Sequence, residues 1–139
     1  MNVFTKAMLL KHFINWRLTW DKRNTHYTFT VPGNPKFMGV RDAVKLIKDG
    51  DIIMTSGLAA NQRPSIIYWA IKEMFQETGH PRNLTFMGIG GIGGRGKAPG
   101  TIEEVGVEGL CTRMICGHLE TLKSMFKLAE QGKLELQCI

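Results

Sequence analysis

Residues 83–100 read "NLTFMGIGGIGGRGKAPG". The first six are a short apolar run closed by a glycine, the pattern of a buried strand. The rest is a glycine loop with no regular structure until Thr101, which has the chemistry of a helix N-cap. Glu104, three residues on, completes the spacing of a capping box. The stretch therefore predicts strand, loop, helix. Two nucleotide-binding patterns overlap in the loop. Gly88, Gly90 and Gly93 fit G-x-G-x-x-G, and Gly91, Gly96 and Lys97 fit most of a P-loop. Both work by presenting backbone N–H groups to phosphate at the start of an immediately following helix. Here Pro99 and Gly100 delay that helix to Thr101. Ala98 stands where a P-loop needs the Ser or Thr that holds magnesium, and the next strand ends "MICGH" without the acid that a dinucleotide site uses. A Rossmann-type nucleotide-binding domain stays open as an alternative. The other readings are a glycine loop with no ligand of its own and a site of another type.

The pattern repeats on either side of this stretch. Residues 40–50, "VRDAVKLIKDG", predict a helix with Val40, Ala43, Val44 and Ile47 on one face and Gly50 as its stop. "DIIMTSG" at 51–57 predicts a buried strand, and 63–80 a long helix with Pro64 in its first turn and Gly79 at its end. A short helix is expected over 101–109, a strand over 111–117, a helix over 120–132 and a strand over 133–139. Strands alternating with helices imply an α/β fold: a mostly parallel sheet with helices on both faces, in three layers. Ligands of such sheets sit beyond the carboxyl ends of the strands, which singles out the loops after Ser56, Met87 and Cys116. Residues 1–37 form a separate appendage. It comprises an amphipathic helix over 1–20 carrying Phe4, Met8, Phe13, Trp16 and Trp20, a short strand "HYTFTV" at 26–31, and a "PGNP" turn at 32–35. Residues 38–139 form the α/β domain. Ile139 ends an apolar strand with no following turn, so an incomplete domain is expected: a piece of a longer protein, or a subunit completed by another chain.

The chain has 139 residues, enough for one domain. No apolar run is long enough to span a bilayer, and Lys11, His12 and Arg17 break the N-terminal one, so neither a membrane segment nor a signal peptide is expected. The net charge of +6 is scattered, with no basic run longer than Lys22–Arg23. That pattern argues against a nucleic-acid partner and leaves a solvated basic surface or attraction of a phosphate-bearing ligand such as coenzyme A. Cys111, Cys116 and Cys138 are an odd number without zinc spacing. They read as reduced, buried thiols of a cytoplasmic protein, with no metal site.

Taken together, the strand-end loops resemble the N-terminal part of a family I coenzyme A transferase, of the acyl-CoA:acetate/3-ketoacid type. "DGDIIMTSGLAANQRP" resembles the family's opening strand and the loop that closes on proline; Gly57, Leu58 and Pro64 hold those places, while Gln62 stands where a second glycine is usual. "PRNLTFMGIGGIGGRG" resembles the following strand and glycine loop, and "EGLCTRMICGH" and "LAEQGKLEL" resemble patterns of single-chain members. The likeness covers roughly residues 38–139, and it rests on the order and spacing of the four segments together.

The resemblance implies a ping-pong transfer of coenzyme A from an acyl-CoA to a carboxylic acid through a glutamyl-CoA thioester. It implies no covalently bound cofactor; coenzyme A enters as acyl-CoA substrate. The nucleophilic glutamate of the family lies in a C-terminal half or β subunit. This chain carries no carboxylate between Glu77 and Glu103, and Glu108-Gly109 lacks the asparagine of the family's motif. No catalytic residue is therefore expected here, and the chain alone should be inactive. The candidate substrate- and CoA-binding residues are Gly57, Leu58, Ala59, Ala60 and Asn61, Gly90 and Gly91, and Gly117 and His118. The 57–61 segment is either a backbone cradle for a carboxylate or oxyanion or a turn satisfied within itself. His118 is either a proton carrier or a helix-start residue with a polar contact. Expected partners are the acyl-CoA, the acid, the Glu-bearing half and further copies of the chain. The remaining alternative is a non-catalytic oligomerisation module using the N-terminal helix.

Overall fold

A computed structural model describes residues 2–19 (Trp16 by its backbone only), 24–26, 31–57, 64–90, 93 and 99–139. Strands β1 (Ile52–Thr55), β2 (Leu84–Gly88), β3 (Cys111–Cys116) and β4 (Glu135–Cys138) form one sheet in the order β1-β2-β3-β4, all parallel. Helices α2 (Val40–Val44), α3 (Ser65–Thr78) and α4 (Lys123–Glu130) accompany them, with one-turn 3₁₀ helices at Ile102–Val105 and Leu119–Thr121. The α/β reading and the parallel sheet are what the chain adopts.

The register explains the core. Ile53, Phe86, Met114 and Leu136 lie opposite one another across the four strands. With Leu84 and Cys116 they pack into a single cluster with Val40 and Val44 of α2, Tyr68, Ala70, Ile71 and Met74 of α3, Ile102 and Val105, and Met125 and Leu128 of α4. Burying each large apolar side chain there contributes about 1.5–3 kcal/mol. Every crossover joins neighbouring strands in the same direction. Right-handed connections then put all the helices on one face.

The expected three layers are therefore met on one face only. The other face carries Ile52, Met54, Met87 and Ile115; Ile52 and Met54 at the β1 edge are exposed, whereas Ile115 in the interior strand β3 is buried, and none of the four belongs to the helix-packed core cluster. The prediction that 51–57 is a buried strand fails for the same reason. Ile52 is 69% and Met54 72% exposed, because alternate residues of an edge strand project to the uncovered side.

Local corrections follow from turn chemistry. The helix at 40–50 ends at Val44, because Lys48 N donates to the Asp51 carboxylate (2.8 Å) and Gly50 turns the chain at φ 78°. α3 stops as expected at Gly79 (φ 76°). The helix expected over 101–109 is a single 3₁₀ turn. Thr101 does cap it, accepting from Glu103 N, but Gly106 packs against Ser124 and Met125 and the chain turns into β3. The helix over 120–132 is split into Leu119–Thr121 and α4.

In the N-terminal region α1 (Val3–Thr19) is a helix, with Thr5 N bonded to Asn2 Oδ1. Its apolar residues do not share one face: at roughly 100° per residue Met8 and Phe13 are about 140° apart. Phe4, Met8 and Phe13 remain exposed. Trp20 and most of the predicted strand at 26–31 lie outside the described residues, as does the Trp16 side chain. The "PGNP" turn is present, closed by Asn34 N to Val31 O (3.0 Å). Thr25 is buried, and its hydroxyl donates to Glu73 of α3, so the segment before the turn touches the domain. No described helix is long and apolar enough to cross a membrane.

Candidate functional site

The carboxyl ends of the four strands meet in one row, Thr55, Gly88, Cys116 and Cys138, each opposite the next. Beyond the row lie Gly57 (φ 142°), Gly90 (φ 78°) and Gly117. Gly57 and Gly90 occupy backbone conformations that L side chains resist. A Cβ on Gly117 would stand 3.5 Å from both Gly90 N and Ile139 O. The loop after β2, the end of β3 and the end of β4 thus converge on a rim made largely of backbone. Of the sequence candidates, the fold brings Gly90 and Gly117 into contact and puts Gly57 at the end of β1. Leu58, Ala59, Ala60, Asn61 and Gly91 lie outside the described residues.

His118 follows Gly117 and precedes the 3₁₀ turn Leu119–Thr121. Its ring is half exposed, with Nε2 3.2 Å from Glu120 Oε1. That arrangement supplies a polar contact at a helix start and leaves the other ring nitrogen for solvent or a ligand. Cys116 is buried, and burial pushes its thiol above the ordinary cysteine value, partly offset by a hydrogen bond from the His118 backbone. Cys138 beside it is exposed, which corrects the expectation that all three thiols are buried.

Two further residues at this rim carry little sequence signal. Thr55 is 92% buried, and its hydroxyl has no hydrogen-bond partner among the described residues. A polar residue ending an apolar strand just before a glycine is the one hint of it. Ile89, flanked by two glycines, is 80% exposed and puts an apolar side chain at the rim.

The glycine loop is fixed at two described points. A Cβ on Gly93 would come within 2.4 Å of Thr121 Oγ1 and 2.9 Å of Leu122 Cδ2. At the far end, Ser65 Oγ donates to Gly100 O (2.6 Å) and Gly100 N donates to Glu104 Oε1 (3.0 Å). Glu104 Oε2 pairs with Lys72 Nζ at 2.9 Å. Burial raises the Glu104 carboxyl, but hydrogen bonds from Lys72, Gly100 N and Trp69 outweigh it and hold it below the usual glutamate value. Glu103 accepts from the Ser124 backbone and hydroxyl. Both acids of this turn therefore tie α3 and α4 together. Glu108 sits before the amino end of β3, paired with Lys133 (2.7 Å), far from the strand-end row. A second polar cluster, Asp49 with His80 and Arg82, lies at the amino ends of β1 and β2. Among the described residues the carboxylate that follows most closely on a strand's carboxyl end is Glu120, already facing His118. The rim can accept a ligand close to its backbone, and its exposed reactive side chains are an imidazole and a thiol.

No family model matches the chain. Over 104 residues it is 34% identical to the caffeate CoA-transferase of Acetobacterium woodii, covering 75% of this chain and 20% of that protein. Two crystal structures of the acyl-CoA transferase YdiF from E. coli O157:H7, the apoenzyme and a thioester complex with CoA, share its fold. Each superimposes with a TM-score of 0.66 at 26% identity, covering 72% of this chain and 19–20% of YdiF. The chain thus spans about a fifth of the length of the relatives it matches. Sequence and fold both relate it to the family I coenzyme A transferases, as a partial N-terminal region.

Proposed function

We propose that this chain is the substrate-shaping part of an enzyme that moves coenzyme A from an acyl-CoA to a carboxylic acid. In this reading the transfer runs by ping-pong chemistry: a glutamate outside this chain attacks the thioester carbonyl and expels the CoA thiolate, giving an acyl-glutamyl anhydride; the thiolate then attacks the glutamyl carbonyl, the acyl group leaves as its carboxylate, and a glutamyl-CoA thioester remains. The single observation that carries the proposal is the 34% identity over 104 residues to a CoA-transferase. The strand-end rim supports it. Gly90 and Gly117 leave backbone open to a substrate, and no acid of the described rim stands free as a nucleophile, since Glu120 faces His118. Gly57, with Leu58, Ala59, Ala60 and Asn61, is assigned to holding a carboxylate or oxyanion, Gly90 and Gly91 to close approach of substrate, and Gly117 and His118 to the opposite wall. Ile89 is suited to touch the acyl chain. The Glu-bearing partner, further copies of the chain and a cytoplasmic location belong to the same proposal.

The test is complementation. The chain is mixed with the A. woodii caffeate CoA-transferase lacking the matching region, and exchange of coenzyme A between acyl-CoA and acid is followed by mass spectrometry. The expected result is no exchange by either part alone and exchange by the mixture, with a CoA adduct on a glutamate of the longer part. Exchange catalysed by this chain alone would overturn the assignment of the nucleophile. Micromolar binding of NAD or ATP to the chain in calorimetry, with no complementation, would replace the proposal with a nucleotide-binding domain.

A further inference from the structure

Cys116 and Cys138 end neighbouring strands and are paired directly across the β3–β4 ladder. Adjacent strands in a sheet lie about 4.8 Å apart, inside the Cα–Cα range of roughly 4.4–6.8 Å that disulfides span. Residues in register project to the same face of the sheet, so both thiols lie on the helix-covered side of the row. Their surroundings differ: Cys116 is buried and Cys138 exposed. The third thiol, Cys111, starts β3 five residues before Cys116, about 16 Å away along the strand. It is buried, its sulfur faces Arg113 O, and burial drives it up to about 12. It can pair with neither of the others. No group of three or more His, Cys, Asp or Glu side chains placed to hold a metal occurs among the described residues, so the pair stands as a dithiol.

We propose that Cys116 and Cys138 form a dithiol site at the rim that hydroperoxides oxidise reversibly to an intrachain disulfide. The Cys138 thiolate attacks one oxygen of hydrogen peroxide. An S–O bond forms, the O–O bond breaks, and the departing hydroxide takes a proton to become water. The Cys116 sulfur then attacks the sulfenic sulfur. An S–S bond forms, the S–O bond breaks, and the second hydroxide leaves as water with the Cys116 proton. Two thiols are oxidised by two electrons, and one peroxide is reduced to two waters. The inter-strand spacing exceeds the usual Cβ–Cβ separation of a disulfide, near 3.8 Å. β4 must therefore shift toward β3. Among the described residues β4 is an edge strand paired with β3 alone, which lets it shift, and a bond formed under such a constraint is readily reduced. The shift is felt at Gly117, which sits between Gly90 and Ile139 just beyond the pair. This inference does not depend on the transferase reading.

The experiment treats the full reduced chain with hydrogen peroxide, alkylates with N-ethylmaleimide, and reads intact mass and peptides. The expected product is a monomer lighter by two hydrogens, alkylated at Cys111 alone after denaturation, and restored by dithiothreitol. C138S should abolish it while C111S keeps it. C116S should stop at a sulfenic acid on Cys138 that dimedone traps. Phenylarsine oxide, which bridges two thiols, should bind one per chain and lose that binding in either rim variant. Because Cys138 is exposed, C138S carries the test even where C116S fails to fold. Disulfide-linked dimers through Cys138, direct over-oxidation of Cys138, or equal arsenical binding by wild type and C138S would each overturn the proposal.

Discussion

Gly100 and Gly132 have nearly the same backbone conformation, φ 71° and 69°, in very different surroundings. A Cβ on Gly132 would meet nothing within 4 Å. On Gly100 it would come within 2.6 Å of Trp69 Cζ2, 2.8 Å of Ser65 Oγ and 2.9 Å of Ser65 Cβ. The ring and the Ser65 Cβ are rigid parts of α3 and cannot swing aside. Alanine at either position carries the left-handed cost of about 1–2 kcal/mol, and it changes the unfolded chain equally. At Gly100 the overlap adds about 1–3 kcal/mol. Displacing the loop also strains the Ser65 Oγ to Gly100 O bond, worth about 0.5–1.5 kcal/mol. Gly100→Ala should therefore lose about 2.5–6.5 kcal/mol and Gly132→Ala about 1–2 kcal/mol. With a urea m-value of about 1–3 kcal/mol/M, the midpoint of Gly100→Ala should fall clearly below that of Gly132→Ala, at unchanged m. Equal midpoints would refute the claim that the far end of the glycine loop is pinned against α3.

Three further outcomes are expected. Met54→Lys should change stability by under about 0.5 kcal/mol, whereas Phe86→Ala should cost about 3–5 kcal/mol. A large loss for Met54→Lys in chemical denaturation would mean that the second face of the sheet is covered. Glu104 is held below its unfolded value of about 4.3, so its contribution is present above that pH and is lost as pH falls through the folded value. The stability gap between wild type and Glu104→Gln should be about 1–2 kcal/mol near pH 7 and should close in denaturant titrations as pH falls through the lowered folded value. Gly117→Ala meets only ordinary contacts at 3.5 Å and should stay within about 0.5 kcal/mol of wild type; a larger loss would contradict the packing of the rim.

The order of elements and their approximate places were legible because each carries a local signal. The 3.6-residue apolar pattern of α3 and the glycines that follow α3 and α4, Gly79 and Gly132, depend on nothing far away. The uncovered face of the sheet was not legible. Ile52 and Met54 are as apolar as core residues, and a run of apolar residues cannot say which side has a helix above it. Only strand order settles that, and strand order is set by long-range pairing. The extent of the helix at 40–50 was lost to a competing local bond, the Asp51 carboxylate to Lys48 N. At the rim, the glycines were legible as a class. Thr55 was not, because its interest lies in a buried hydroxyl without a partner among the described residues, a property of packing.

The glycines of 88–100 then separate by what each one does. Gly93 and Gly100 are there because a side chain would strike Thr121 and Leu122 in one case and Ser65 and Trp69 in the other. Gly90 adopts φ 78° and faces Gly117 across the rim. A dinucleotide fingerprint also uses its third glycine for packing, but against the helix that the same loop opens. Here Gly93 packs against a turn some thirty residues later in the chain, and the first helical turn described after the loop begins at Ile102. Two of the three glycines at fingerprint spacing, Gly90 and Gly93, thus serve two unrelated ends, and the motif follows from neither. A Gly93→Ala chain should accordingly lose stability by about 1–3 kcal/mol through overpacking, with no nucleotide needed to see it. If Gly93→Ala were neutral in urea titration but changed the binding of an added nucleotide, this division of the glycines would be wrong and the fingerprint would be genuine.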